Sequence, residues 1–284
     1  MSKVKIMADS TCDLSPELIE KYGITIVPLC IVLDGKSYYD VEEITPEEIY
    51  AWSDEHKATP KTAAISFDRT LEAFKPFMDA GEDIIFFGIS AQMSSTCNVA
   101  QLVGDGEEYE RLFVIDSRNL STGIGLQVIR ACELAAEGKS AEDIVSEIEG
   151  ARDLVRASFV VDTLTFLARG GRCTAITVLM ANTLKLHPQI LVKDGKMGVG
   201  KKFRGKTAVA IQAYVDDLMP ALESADEKRV FITHSGCEAE IIEAVKAKIE
   251  ALGRFEEILI TQAGGVISSH CGPNTLGVLF YEKA

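Results

Sequence analysis

The sequence predicts an α/β protein of two domains, residues 1–158 on a parallel sheet of the doubly wound type and residues 159–284 on a mixed sheet with an antiparallel hairpin. Three observations carry this reading. The runs "VKIMAD", "ITIVPLCIVL", "DIIFFGIS", "RLFVIDS" and "ASFVVDT" are apolar on both faces, as buried parallel strands are, and helical stretches separate them. The helix starts carry capping chemistry. Beyond about residue 160 the pattern changes, and the Asp-Gly of "QILVKDGKMGVGKKF" marks a hairpin turn between strand-like flanks.

The elements follow in order. "DLSPELIEKYG" starts a helix at the Ser15 cap, with Pro16 at the first helical position and Gly23 ending it. "ITPEEIY" starts another, where Thr45 caps, Pro46 follows and Glu48 closes a capping box. After the hairpin come a helix from about Thr207 to Leu222, the strand "RVFITH", a helix in "EAEIIEAVKAKIEALG", and the strands "EILITQAG" and "TLGVLFYE". No repeat, low-complexity segment or long linker interrupts them. The halves therefore pack closely, and a cleft between them is the default ligand site.

Composition narrows the function classes. A net charge of -14 at pH 7 repels phosphate backbones, which argues against nucleic acid as a partner. The start "MSKVKIMADS" turns acidic before an apolar leader develops, and "IVPLCIVL" is far shorter than the roughly 20 residues a bilayer demands. The expectation is a cytoplasmic protein with at most transient membrane contact. Seven scattered cysteines without a CxxC pair, and four histidines without i, i+4 spacing, offer neither a disulfide framework nor a metal site. No metal or other cofactor is expected.

Two features bear on chemistry. "GKKFRGKT", Gly200 to Thr207, satisfies the Walker A form, but a polar hairpin precedes it where a P-loop needs a buried strand. A basic arm of Lys201, Lys202, Arg204 and Lys206, able to dock a partner or a phosphate, is the stronger reading. The second feature is hydroxyls after strands, in "ADSTCDLS", "TPKTAAIS", "GISAQMSSTCN" and "IDSRNLSTGIG". Singly these are caps and turn residues; together, at strand ends, they suit an anion such as a carboxylate. His270, in "VISSHCGPNTLGVLF", is open to four roles: catalytic base, metal ligand, clasp for an acidic ligand, or packed loop residue.

The chain resembles the DegV family of fatty-acid-binding proteins over essentially its whole length. "DSTCDL" is similar to the family's D-S-T-x-D-L, "PKTAAIS" stands where P-K-T-S-Q-P-S is usual, and "SAQMSST" where a loop ending L-S-G-T is usual. "IDSRNLSTGIG", "LARGGR", "KKFRGKT" and "SHCGPNTLGV" follow in the family's order. The departures are Ala63, Ala64 and Ile65 after the threonine, and Ser95 in place of glycine. The resemblance implies a carrier rather than an enzyme: a long-chain fatty acid lies in a buried tunnel and is presented to a separate ATP-dependent fatty-acid kinase. Its carboxylate contacts fall on Thr62, Ser94 and His270, with Ser95 and its amide beside them, all brought together from three loops. Arg169, Arg172, Lys201, Lys202 and Arg204 are the cations available for kinase docking.

Two rivals remain at this level. A serine-dependent acyl hydrolase or transferase would use Ser94 or Ser95 with His270, although no G-x-S-x-G elbow and no placed acid accompany them. A small-molecule kinase would use "GKKFRGKT".

Overall fold

The computed structural model describes residues 3–173 and 186–283, so 174–185, inside the predicted second domain, lie outside the described residues. From the N-terminus, β1 (Val4–Asp9) leads through a 3₁₀ turn at Ser10–Cys12 to α1 (Pro16–Tyr22), β2 (Thr25–Val27), β3 (Cys30–Leu33), β4 (Lys36–Tyr39) and α2 (Pro46–His56). Then come β5 (Lys61–Ala63), α3 (Phe67–Asp79), β6 (Asp83–Gly88), α4 (Thr96–Gly106), β7 (Leu112–Asp116), α5 (Thr122–Ala136) and α6 (Ala141–Ala151). The later half holds β8 (Val155–Val160), α7 (Thr165–Gly170), β9 (Leu186–Lys193), β10 (Lys196–Arg204), α8 (Thr207–Glu223) and β11 (Ala225–Ser235). It ends with α9 (Ala239–Glu250), β12 (Glu257–Gln262), α10 (Gly265–Cys271) and β13 (Thr275–Glu282).

The first sheet is parallel, ordered β2-β1-β6-β7, and the second is mixed, ordered β10-β9-β8-β13-β11-β12. Among the described strands of the second, only β11 and β12 run parallel. Capping chemistry starts the helices as read: Ser15 accepts the Leu18 amide, and Thr45 and Glu48 form a complete capping box. The hairpin turns on Asp194 and Gly195, whose φ of 51° and 75° are the left-handed pair of a type I′ turn.

Two strand readings need correction. "ITIVPLCIVL" is two strands, because Pro28, with no N–H to give a ladder, ends β2; β3 then pairs antiparallel with β4 and β5 in a third small sheet. "ASFVVDT" contributes β8, which is antiparallel to both β13 and β9. It is apolar on both faces because helices cover both sides of the second sheet too, and coverage says nothing of a partner's direction.

Burial shows the layers. Phe74 of α3 and Val103 of α4 pack on Met7, Ile84 and Phe86 of the first sheet. The opposite face, with Ile6, Ile85 and Phe87, meets α5, and the same core continues to Phe159, Phe231 and Leu279 of the second sheet. Helix α5 is thus shared between the sheets. Beyond the second sheet, Val230 and Phe280 pack on Tyr214 of α8 and Val245 of α9. No described helix is long and apolar enough to cross a membrane.

Candidate functional site

A cavity partly open to solvent lies where β5, the turn before α4, and α10 converge. Leu29, Ile89, Met93, Leu120, Val266 and Ile267 make it apolar. Its polar end gathers Thr62, Ser94, Arg172 and His270. Thr62 and His270 are in direct contact, Oγ1 to Nε2 at 2.8 Å.

Neither of those two residues is in a loop, contrary to the expectation of three loops. Thr62 is on β5, where it pairs with Ile31 of β3, and His270 is on α10. Only Ser94 lies in a turn, with its amide on the Ser90 carbonyl at 3.1 Å. Helix α10 was not legible in "GGVISSHC", which is short and rich in glycine, serine and β-branched residues.

Two buried carboxylates hold that helix. Gly264 N donates to Asp13 Oδ1 and Gly265 N to Asp40 Oδ1, each at 2.8 Å, so acidic groups from the first half meet the positive end of α10. The approach is close: a Cβ on Gly265 would lie 2.6 Å from Ile31 Cδ1 and 2.9 Å from Asp40 Oδ1. Burial raises both carboxyls above their ordinary range, Asp13 well above it. Asp13 was visible in "DSTCDL", but nothing local signals a partner some 250 residues away along the chain.

The His270 ring is tightly enclosed. Burial, and then the Arg172 guanidinium, push its pKa down to about 4, so it is neutral at pH 7. Its Nδ1 is buried without a hydrogen-bond partner. Gly170 of "LARGGR" makes room for the ring, since a Cβ there would stand 2.3 Å from Nδ1.

Ser94 Oγ meets Thr96 Oγ1 at 2.9 Å and accepts the Thr96 amide at 3.3 Å, at the start of α4. The first turn of α4 has no acidic residue and no side-chain cap from Ser95. Ser95 itself is exposed and absent from the cavity lining, because the turn that points Ser94 inward points its neighbour out. The departures Ala63 and Ala64 both line the cavity.

The cations divide into two groups. Arg172 lines the cavity while remaining exposed, and its Nη1 donates to Gly170 O at 2.8 Å. Arg169 donates to Lys57 O at 3.3 Å. On β10, Met197 reaches the cavity, and Lys201 lies four residues further along, roughly 13 Å of extended strand. Lys201 pairs with Asp217 of α8, and Lys202 and Arg204 are exposed. The Walker-like segment is no P-loop: Gly200 to Arg204 is extended strand, with a bulge at Gly200 and Lys201 and Lys202 to Arg204 paired with β9.

A parallel and a mixed sheet share one core and flank an apolar cavity with a hydroxyl and imidazole end, which defines an α/β protein with a cavity lined from both halves of the chain. The chain belongs to the DegV family, whose model, described as "Uncharacterised protein, DegV family", matches residues 3–283. A DegV domain-containing protein from Clostridium acetobutylicum is 32% identical over 286 residues, with 100% of each chain covered. Among solved structures, a DegV family protein from Thermus thermophilus, described for its fatty acid binding, superposes with a TM-score of 0.91 at 31% identity over 100% of both chains. A stearic-acid-binding protein from Eubacterium ventriosum superposes with a TM-score of 0.85 at 28% identity, over 100% of this chain and 99% of the other.

Proposed function

We propose that this protein binds a long-chain fatty acid between its halves, holds the carboxylate at Thr62, Ser94 and His270, and presents it to a separate ATP-dependent kinase that makes the acyl phosphate. The observation that carries the reading is the Thr62–His270 contact at the polar end of an otherwise apolar cavity. A carboxylate arriving there meets two hydroxyls, an imidazole and the Arg172 guanidinium. A bound carboxylate favours the protonated, donating form of the His270 ring. Burial of about 16 carbons offers on the order of 12 kcal/mol before ordering and association costs, so the chain supplies the affinity and the head group the orientation.

Further space for the chain supports this. Leu120, Ile267 and Cys271 border both this cavity and a second chamber lined by Phe159 and Leu279. A hydrolase reading is weaker, because its histidine needs a nucleophile on one nitrogen and an orienting acid on the other. Here Nε2 meets Thr62, and Nδ1 has no partner. Native mass spectrometry of the purified protein tests the proposal, the expected result being a co-purifying fatty acid at one per chain. A protein that carries none and takes up none from a fatty-acid mixture contradicts it.

A further inference from the structure

The lining of the second chamber includes Ser121 and Thr233, and their hydrogen-bond partners belong to a third cavity, lined in part by Asp13, Leu14, Ile26, Ile260 and Thr261. At two places the wall between the two spaces is one hydrogen bond thick: Ser121 Oγ donates to Asp13 Oδ2 at 2.5 Å, and Thr233 Oγ1 meets Thr261 Oγ1 at 3.0 Å. Each pair has one member in each space. Thr122 extends the row, its Oγ1 at 2.6 Å from that of Thr233.

The wall is also costly to build. Ser121 has φ 53° and ψ -145°, a backbone conformation that glycine accepts and serine resists. Its hydroxyl is spent on Asp13, whose other oxygen holds Gly264. Neighbouring hydroxyls are likewise committed, Ser235 to Gly272 O at 2.7 Å and Thr275 to Cys271 O at 3.1 Å. Their donors face the protein, so these hydroxyls stop an apolar chain rather than recognise a polar one.

Resting on the fatty-acid reading above, we propose that this partition is the floor of the acyl tunnel and sets the longest chain accepted, with Ser121 and Thr233 as specificity-determining residues. Without it the two spaces join, and added methylenes lie against Leu14, Ile26 and Ile260. Each one then contributes roughly fourfold in affinity.

The test is competition among saturated fatty acids of about 12 to about 24 carbons on delipidated wild type, Ser121→Gly, Thr233→Ala and Thr233→Val, read by native mass spectrometry. Wild-type affinity is expected to rise with length and then break. In Ser121→Gly, which also suits the backbone, and in Thr233→Ala, the break moves to longer chains, with about a tenfold gain for the first length that wild type rejects. Thr233→Val keeps the volume of the wall and is expected to keep the break. A break unmoved in both opening variants, a break moved equally by Thr233→Val, or loss of the shorter chains in both opening variants overturns the proposal. Wild type that binds no chain of any length overturns the fatty-acid reading itself.

Discussion

His270 is neutral because burial and Arg172 both oppose its charge, and this has a pH signature. Unfolded, the imidazole takes its proton near 6.5; folded, near 4. The stability that the depressed pKa contributes is therefore complete above about 6.5 and lost as pH falls toward 4, by on the order of 3 kcal/mol. Asp9 has the opposite sign: burial raises it from 3.8 to about 6, so its contribution is complete below 3.8 and lost as pH rises through 6. Wild-type stability mixes these slopes with those of Asp13 and Asp40, whose carboxyls burial also raises, and His270→Asn separates the histidine's share. The stability of wild type relative to that variant should decline between pH 6.5 and 4 in urea titrations; a flat difference contradicts a buried neutral ring. At the same scale, Thr62→Ala and Ser94→Ala should each weaken fatty-acid binding by roughly 1 to 3 kcal/mol, since each leaves a buried carboxylate short of a donor. Calorimetry giving unchanged affinity for both would contradict their role.

Helix α10 is the element on which the site depends. It is only seven residues long, too short to hold itself, and Asp13 and Asp40 fasten its first amides to the other half of the molecule. Gly265→Ala drives a Cβ against Ile31, Ile49 and Asp40. The expected cost is about 1 to 3 kcal/mol of stability, together with weaker ligand binding, because His270 moves with its helix. Ser140→Ala is the matched control: it removes the cap that accepts the Asp143 amide on α6, and should cost about 1 kcal/mol without changing affinity. Equal affinity in Gly265→Ala and wild type would separate the helix from the site.

At the scale of the whole molecule, a net charge of -14 makes a local cationic surface conspicuous to a partner. Arg172 lines the cavity, whereas Arg204 is exposed on β10. Charge reversal should therefore act differently at the two. Arg172→Glu puts a carboxylate beside the head group and should lower lipid affinity and kinase turnover together. Arg204→Glu should slow acyl-phosphate formation by the kinase and leave lipid affinity nearly intact. If Arg204→Glu loses both in parallel it serves the fold, and if it loses neither the docking surface lies elsewhere.

By itself the sequence determined the α/β class, the capped starts of α1 and α2 and the Asp-Gly hairpin. All of these follow from residues adjacent in the chain, where propensity, capping and turn chemistry act. Thr62, Ser94 and His270 were legible as a set only because their motifs follow one another in the family's order. Which of them touch, the exposure of Ser95, the entry of Arg172 into the cavity and the antiparallel pairing of β8 were decided by tertiary structure alone. So were the fastening of α10 by Asp13 and Asp40, the packing of the His270 ring over Gly170 and the strained backbone of Ser121. Each of these joins segments far apart in sequence, and a contact between distant segments is chosen by what else the packed core leaves room for, a property no local stretch of chain encodes.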